Sequence, residues 1–274
     1  MDPKLAYQYK VDALSLLLLR MIFSLPFYLV VALLYYKKPN LDQVVKTDYY
    51  WLLFFGVMGY YLASYFDFVG LEFIKASLER IILFLYPTII ILFNRWFLKK
   101  PINITQAFAI FLTYVGIVIT FWGEVVISGS DTYIGGFFIL LCALTYATYI
   151  VGSGWLIPKF GVIKFTAYVM IVSCFCVFIH FGIFSKVDIF GFQWEVYFLG
   201  FLIAIFATVI PSFLVSESIN RINSSNFAVI AGFGPISTII LAGIFLNEVL
   251  TLLQLFGALI VIFGILLVSL KKSN

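Results

Sequence analysis

Nine apolar runs, each about the length of a membrane-crossing helix, restrict this chain to very few folds. At 1.5 Å of rise per residue, about twenty helical residues cover the roughly 30 Å of hydrocarbon in a bilayer. The runs are residues 13–35, 50–69, 73–97, 104–121, 134–156, 166–183, 196–215, 226–246 and 252–270. Composition agrees: 64% of residues are hydrophobic and 11% charged, with a mean hydropathy of +1.11, which excludes a soluble domain of ordinary make-up. A barrel would show ten-residue segments of alternating polarity, and these runs do not alternate. The longest polar connections, Lys37 to Asp48 and Trp122 to Thr132, are too short for a soluble domain. The expected fold is an all-α integral membrane protein of about nine transmembrane helices. Lys4 and Lys10 precede the first run as in a signal peptide, but Arg20 interrupts it and no small-residue cleavage site follows, so no cleaved signal is expected.

Cytoplasmic loops are enriched in Lys and Arg. With the C-terminus inside, the inner side holds Lys37, Lys38, Lys46, Arg95, Lys99, Lys100, Lys159, Lys164, Arg221, Lys271 and Lys272, against Lys4, Lys10, Lys75, Arg80 and Lys186 outside. The net charge of +4 is mostly this asymmetry and does not point to nucleic acid. The expected location is the plasma (inner) membrane, multi-pass, with the C-terminus cytoplasmic. The sequons at Asn103 and Asn223 then face inward and are chance matches. Cys142, Cys174 and Cys176 lie within runs without metal-ligand spacing and read as apolar packing. His180, the single histidine, reads as interfacial or packing. Neither a metal nor a cofactor is expected, and no Gly-Lys-Ser/Thr phosphate loop suggests direct use of ATP.

The chain also repeats itself. A shift of 148 lays Ser64 on Ser212, Ser77 on Ser225, Ile82 on Ile230, Pro87 on Pro235, Phe97 on Phe245, Gln106 on Gln254 and Gly116 on Gly264 without a gap. A shift of 151 then lays the first run on the sixth. The expected domains are residues 12–121, a repeat of four helices, and 133–270, a repeat of five. The run at 134–156 has no partner, and its counterpart would precede Met1, so the chain is expected to lack the first helix of a five-plus-five pattern. Two tandem five-helix units cross the membrane in opposite senses, and inverted repeats of this kind are typical of secondary transporters.

The segments Tyr60-Tyr61-Leu62-Ala63-Ser64-Tyr65-Phe66-Asp67-Phe68-Val69-Gly70-Leu71 and Leu78-Glu79-Arg80-Ile81-Ile82-Leu83-Phe84-Leu85-Tyr86-Pro87-Thr88 carry a family resemblance. So do Gly234-Pro235-Ile236-Ser237-Thr238, Leu246-Asn247-Glu248 and Gln254-Leu255-Phe256-Gly257. On these motifs, and over essentially its whole length, the chain resembles the drug/metabolite transporter superfamily, specifically the EamA-type ten-helix exporters. It departs from the pattern in the missing first helix and in Lys99-Lys100, where the first repeat usually has Gly-Glu. The resemblance implies a bundle of inverted repeats with a central cavity that exports or exchanges small metabolites such as amino acids.

Ionisable residues inside spans are the first site candidates, because an unpaired charge in hydrocarbon costs several kcal/mol. Arg20 lies about 10 Å from the outer end of its run by helical rise. Glu79 and Arg80 lie at a similar depth in the third run, and Asp67 is close to the outer end of the second. They read either as a structural clamp or as an outer gate and charge site, in which an arginine meets a solute carboxylate and Asp67 or Glu79 meets its amine. Pro87, Pro211 and Pro235 lie inside runs and predict helix kinks that free backbone carbonyls. Tyr61, Ser64, Tyr65, Tyr86, Tyr146, Tyr149, Ser212, Ser237 and Thr238 are the polar residues singled out as solute-lining, with Ser153, Ser216 and Asn226 beside them.

Three function classes follow. A secondary transporter is favoured by the repeat, the matched prolines and the resemblance. A membrane enzyme would need a catalytic set, and no nucleophile with its base or metal motif is present. A non-transporting remnant or partner-dependent subunit gains only from the missing helix. The expected partners are a small solute and membrane lipid, with a homodimer left open.

Overall fold

The computed structural model describes residues 12–36, 44–98, 104–128, 131–185, 187–231 and 251–270, and every regular element among them is helical. In chain order they are α1 (Ala13–Tyr35), α2 (Lys46–Phe73), α3 (Ala76–Leu83), α4 (Tyr86–Leu98), α5 (Ile104–Ser128), α6 (Asp131–Phe160), α7 (Val162–Phe184), α8 (Trp194–Ser224) and α9 (Leu252–Leu270). Among the described residues five helices are long and apolar enough to cross a membrane: α1, α2, α6, α7 and α8. Shorter apolar stretches, Phe111–Thr120 and Leu252–Gly264, lie in α5 and α9. Most of the expected run at 226–246 lies outside the described residues. Large side chains such as Leu33, Phe184, Phe206 and Phe263 are exposed, as lipid-facing positions of a membrane helix must be.

Local chemistry sets the helix ends. Asp12 Oδ2 accepts from the Ser15 amide at 3.1 Å and caps α1. Thr251 and Gln254 form a capping box at the start of α9: Gln254 donates its amide to Thr251 Oγ1 at 3.3 Å and its Oε1 accepts the Thr251 amide at 2.8 Å. Gly161, with φ 78°, makes the one-residue turn from α6 into α7, a conformation that a side chain would strain. At the start of α2, Asp48 Oδ2 accepts from the Val45 amide at 3.0 Å, while Oδ1 takes Lys159 Nζ of α6 at 2.7 Å. That ammonium lies 4.6 Å from the Trp155 ring centroid.

Asp48 is 1% exposed and Lys159 22%, so removing the carboxylate strands a half-buried cation. Asp48→Ala is expected to lower stability by about 2 kcal/mol, read as a fall in the thermal midpoint of the detergent-solubilised protein. An unchanged midpoint would mean that solvent already screens the pair.

Two expected spans take a different form. The third is not one helix: α3 ends at Leu83, Phe84 and Leu85 form a turn, and α4 begins at Tyr86. Pro87 explains the break, because its ring collides with the carbonyl four residues back, that of Leu83. It then occupies the first turn of α4, where its missing N–H costs nothing. The expected kink at Pro87 is therefore a break. Near Pro211 the helix stays continuous but widens into a π-turn over Ile205–Val209. Pro235 lies outside the described residues. A second π-turn, Val57–Leu62, interrupts α2, and a shift of 148 places its start on that of the first. The α8 run breaks at Asn223, with φ 62°.

The chain divides into two compact units, Met1–Phe68 with Thr148–Asn223 and Val69–Ala147 with Ser224–Asn274. Within the first unit α1 packs on α7 and α8, and α2 on α7. The contacts give the helix senses. Leu19, Phe23 and Tyr28 of α1 meet Gly200, Phe201 and Ser212 of α8 in rising order, so these helices are parallel. Gly56 and Tyr61 of α2 likewise meet Val172 and His180 of α7. Since α7 and α8 are successive spans of opposite sense, α1 opposes α7, its repeat equivalent, and α2 opposes α8. Within the second unit α5 packs on α9, and α3 on α5. Gly116 meets Gly257 while Thr120 donates to the Gln254 carbonyl at 3.4 Å, so α5 and α9, also repeat equivalents, are antiparallel. The two repeats have inverted topology.

Candidate functional site

The first unit holds a polar core built on one stripe of α8. Thr208, Ser212 and Ser216 recur every fourth residue, about 6 Å apart along the axis, and all three are 0% exposed. Each faces a different large polar side chain. Arg20 of α1 donates from Nε to Thr208 Oγ1 at 2.6 Å. Tyr28, one further stretch along α1, shares a hydrogen bond with Ser212 at 2.8 Å. The Tyr149 hydroxyl of α6 lies among Ser216, Ser153 and Tyr60, with its ring edge-on to Tyr60 at 5.4 Å. The stripe is therefore a row of hydroxyls that lets α1 and α6 place a guanidinium and two phenols in the interior of the unit.

The π-turn sets the top of the row. In an α-helix a threonine hydroxyl satisfies the carbonyl three or four residues back, but Thr208 donates to Ile203, five residues back, at 3.2 Å. That wider turn swings Thr208 toward α1. Arg20 is 8% exposed, and its guanidinium lies 5.6 Å from the Phe68 ring centroid. Of its five N–H donors, only Nε makes a hydrogen bond among the described residues. Asp67 is among the groups whose charge acts on it. Asp67 Oδ1 is buried with no hydrogen-bond partner among the described residues.

The sequence-predicted residues sort into distinct places. Arg20, Asp67, Tyr149 and Ser212 belong to this core, and Ser64 is buried nearby in α2. Tyr61 and Tyr65 instead meet His180 of α7: the Tyr61 hydroxyl is 3.1 Å from Nδ1 and the Tyr65 ring 4.7 Å from the imidazole. His180 is thus a packing residue joining α2 to α7. In the second unit Glu79 and Arg80 pair with each other at 3.0 Å, although helix neighbours diverge by about 100°. Glu79 is 1% exposed and the Arg80 side chain 40%, so the arginine reaches back to cover its neighbour. Tyr86 is buried with its ring edge-on to Tyr146 at 5.2 Å. Ser237 and Thr238 lie outside the described residues.

Tyr28, Tyr60 and Thr208 were not singled out from the sequence. The spacing Thr208, Ser212, Ser216 in an apolar span was a usable signal for the stripe. A π-turn has no such signature, so the partner of Arg20 could not be read.

Comparison with known proteins places this geometry. The model of the EamA-like transporter family matches residues 3–122 and again 133–270. The uncharacterised transporter YcbK of Bacillus subtilis (strain 168) is 32% identical over 258 residues, covering 93% of this chain and 82% of that protein. The uncharacterised transporter sll1319 of Synechocystis sp. is 25% identical over 277 residues, covering 94% and 80%. A solved crystal structure shares the fold with a TM-score of 0.69 at 14% identity, covering 98% of this chain and 92% of its own. With two inverted helical repeats, both matched by one family, the chain belongs to the EamA-like transporter family of the drug/metabolite transporter superfamily and is a multi-pass membrane transporter.

Proposed function

We propose that the chain is a secondary transporter that exports or exchanges a small amino-acid-like metabolite by alternating access, with the solute held where the two repeats meet inside the first unit. Residues 12–121 and 133–270 act as the two repeats, in the inner membrane, with the C-terminus cytoplasmic. Arg20 meets the solute carboxylate and Asp67 its amine. The observation that carries this reading is the state of Arg20: a guanidinium more than nine-tenths buried, bonded through Nε alone among the described residues. An arginine that served only to tie helices together would use its fork on protein acceptors. The unsatisfied Asp67 Oδ1 supplies the opposite charge in the same unit. The apolar walls make both charges effective, because charge pairs are screened little away from water. Glu79 pairs through Oε2 with Arg80 and serves the second unit as a clamp or gate element.

The test is counterflow in proteoliposomes loaded with each of the twenty amino acids and, in parallel, with their amides. The expected result is exchange of one or a few amino acids and at least tenfold less of the matching amides, which lack the carboxylate. Equal exchange of acids and amides would remove Arg20 as the carboxylate site. No exchange across the panel would favour the non-transporting or partner-dependent reading.

A further inference from the structure

The two π-turns lie at equivalent positions of the two repeats. Val57–Leu62 in α2 and Ile205–Val209 in α8 begin at equivalent positions under the shift of 148 that aligns Ser64 with Ser212. Within them Tyr60 falls on Thr208, so one residue of each π-turn occupies the same internal position. Both are buried, at 8% and 0% exposure. Thr208 Oγ1 accepts from Arg20 Nε at 2.6 Å. π-turns inside helices are rare and concentrate at functional sites, and the one in α8 delivers the acceptor of a buried cation.

We propose that Thr208, displaced by the π-turn of α8, is a positioning residue that holds Arg20 by its Nε side and leaves its two terminal nitrogens free for an anionic group of the solute. The guanidinium is planar and rigid, so fixing Nε fixes the plane and direction of both terminal nitrogens. Thr208 can act as acceptor because its own proton is committed to the Ile203 carbonyl at 3.2 Å. Valine has the same shape without the oxygen. Serine keeps the oxygen and loses only a methyl group. The substitutions therefore separate acceptor from packing. The inference rests on the reading of Arg20 as the carboxylate site, and its test includes an arm that needs no solute.

That arm is hydrogen exchange at the arginine Nε–H groups of arginine-labelled protein in micelles, followed by nuclear magnetic resonance. The chain has four arginines, Arg20, Arg80, Arg95 and Arg221, and Arg20→Lys identifies the signal of interest. The Arg20 Nε–H is expected to exchange at least tenfold more slowly than that of Arg221, to speed up at least tenfold in Thr208→Val, and to stay slow in Thr208→Ser. In counterflow with the panel amino acid exchanged fastest, Thr208→Val is expected to raise KM about tenfold with the maximal rate within twofold, and Thr208→Ser to restore KM. In an Arg20→Lys background Thr208→Val should add no further effect.

Exchange unchanged in Thr208→Val would show that Thr208 does not hold Arg20 and would overturn the proposal. Faster exchange with unchanged KM would overturn the positioning role while leaving the transporter reading intact. If Thr208→Val is poorly recovered, the serine variant decides, since loss of slow exchange there also rejects the proposal. If no amino acid is exchanged by the wild type, the transport reading fails while the exchange arm still decides whether the clasp exists.

Discussion

Arg20→Gln is expected to lower amino-acid counterflow by at least 100-fold while leaving the protein monodisperse in detergent. Hydrogen bonds to a charged group contribute about 1.5–3 kcal/mol each, and a carboxylate on the arginine fork makes two, so their joint loss corresponds to about two decades or more. Folding should survive, because the substitution removes a buried charge whose desolvation opposes folding. Thr208, moreover, keeps its bond to the Ile203 carbonyl. Arg20→Lys retains the positive charge but not the fork, and is expected to fall between the two. Cys174→Ala supplies the control within the same unit. Its thiol is buried, with Sγ 3.7 Å from the Met21 carbonyl and 3.7 Å from the Met21 sulfur, and the change should leave the exchange rate within twofold. A Cys174 effect larger than the Arg20 effect would invert the site assignment.

The second large effect concerns assembly. Gly257→Leu is expected to prevent recovery of folded protein, judged by size-exclusion profile and thermal midpoint. A Cβ at position 257 would meet the Thr120 hydroxyl inside van der Waals contact and the Gly116 carbonyl oxygen at 2.7 Å. The carbonyl belongs to the α5 backbone. Thr120 Oγ1, in turn, is held by its bond to that same carbonyl at 2.9 Å. Neither can give way without separating α5 from α9. In membranes, where lipid is as apolar as the side chains, helix association depends on such close approach. Gly257→Ala should already cost about 1–3 kcal/mol, the usual penalty of overpacking. A wild-type midpoint for Gly257→Leu would mean that α5 and α9 can part without loss.

What the sequence disclosed and what it withheld follow from the range of the interactions concerned. Span-length apolar runs are a property of consecutive residues, so α1, α2, α6, α7 and α8 were visible in the chain itself. The inverted senses were also accessible, because an odd number of helices per repeat forces them, and the Gly116 to Gly257 crossing of equivalent helices displays the result. The break between α3 and α4 was anticipated only as a kink. Proline shows that the Leu83 carbonyl must lose its partner, but whether a helix bends or stops depends on what else satisfies that end. Arg20 and Asp67 stood out because charge is conspicuous in an apolar span. Their companions did not: Thr208 and Tyr28 become distinctive only when α1 lies parallel to α8. The pairing of Asp48 with Lys159 was equally hidden, since it joins residues 111 positions apart.

The widened turns also show where the two halves part company. They begin at equivalent positions, Val57 and Ile205, under the shift of 148. The arginine bonded to the second of them has no counterpart in the other half: the shift of 151 that lays the first run on the sixth puts Ile171 in its place. Repeats that share a backbone irregularity thus differ in where they carry charge, and that difference gives an inverted pair a direction.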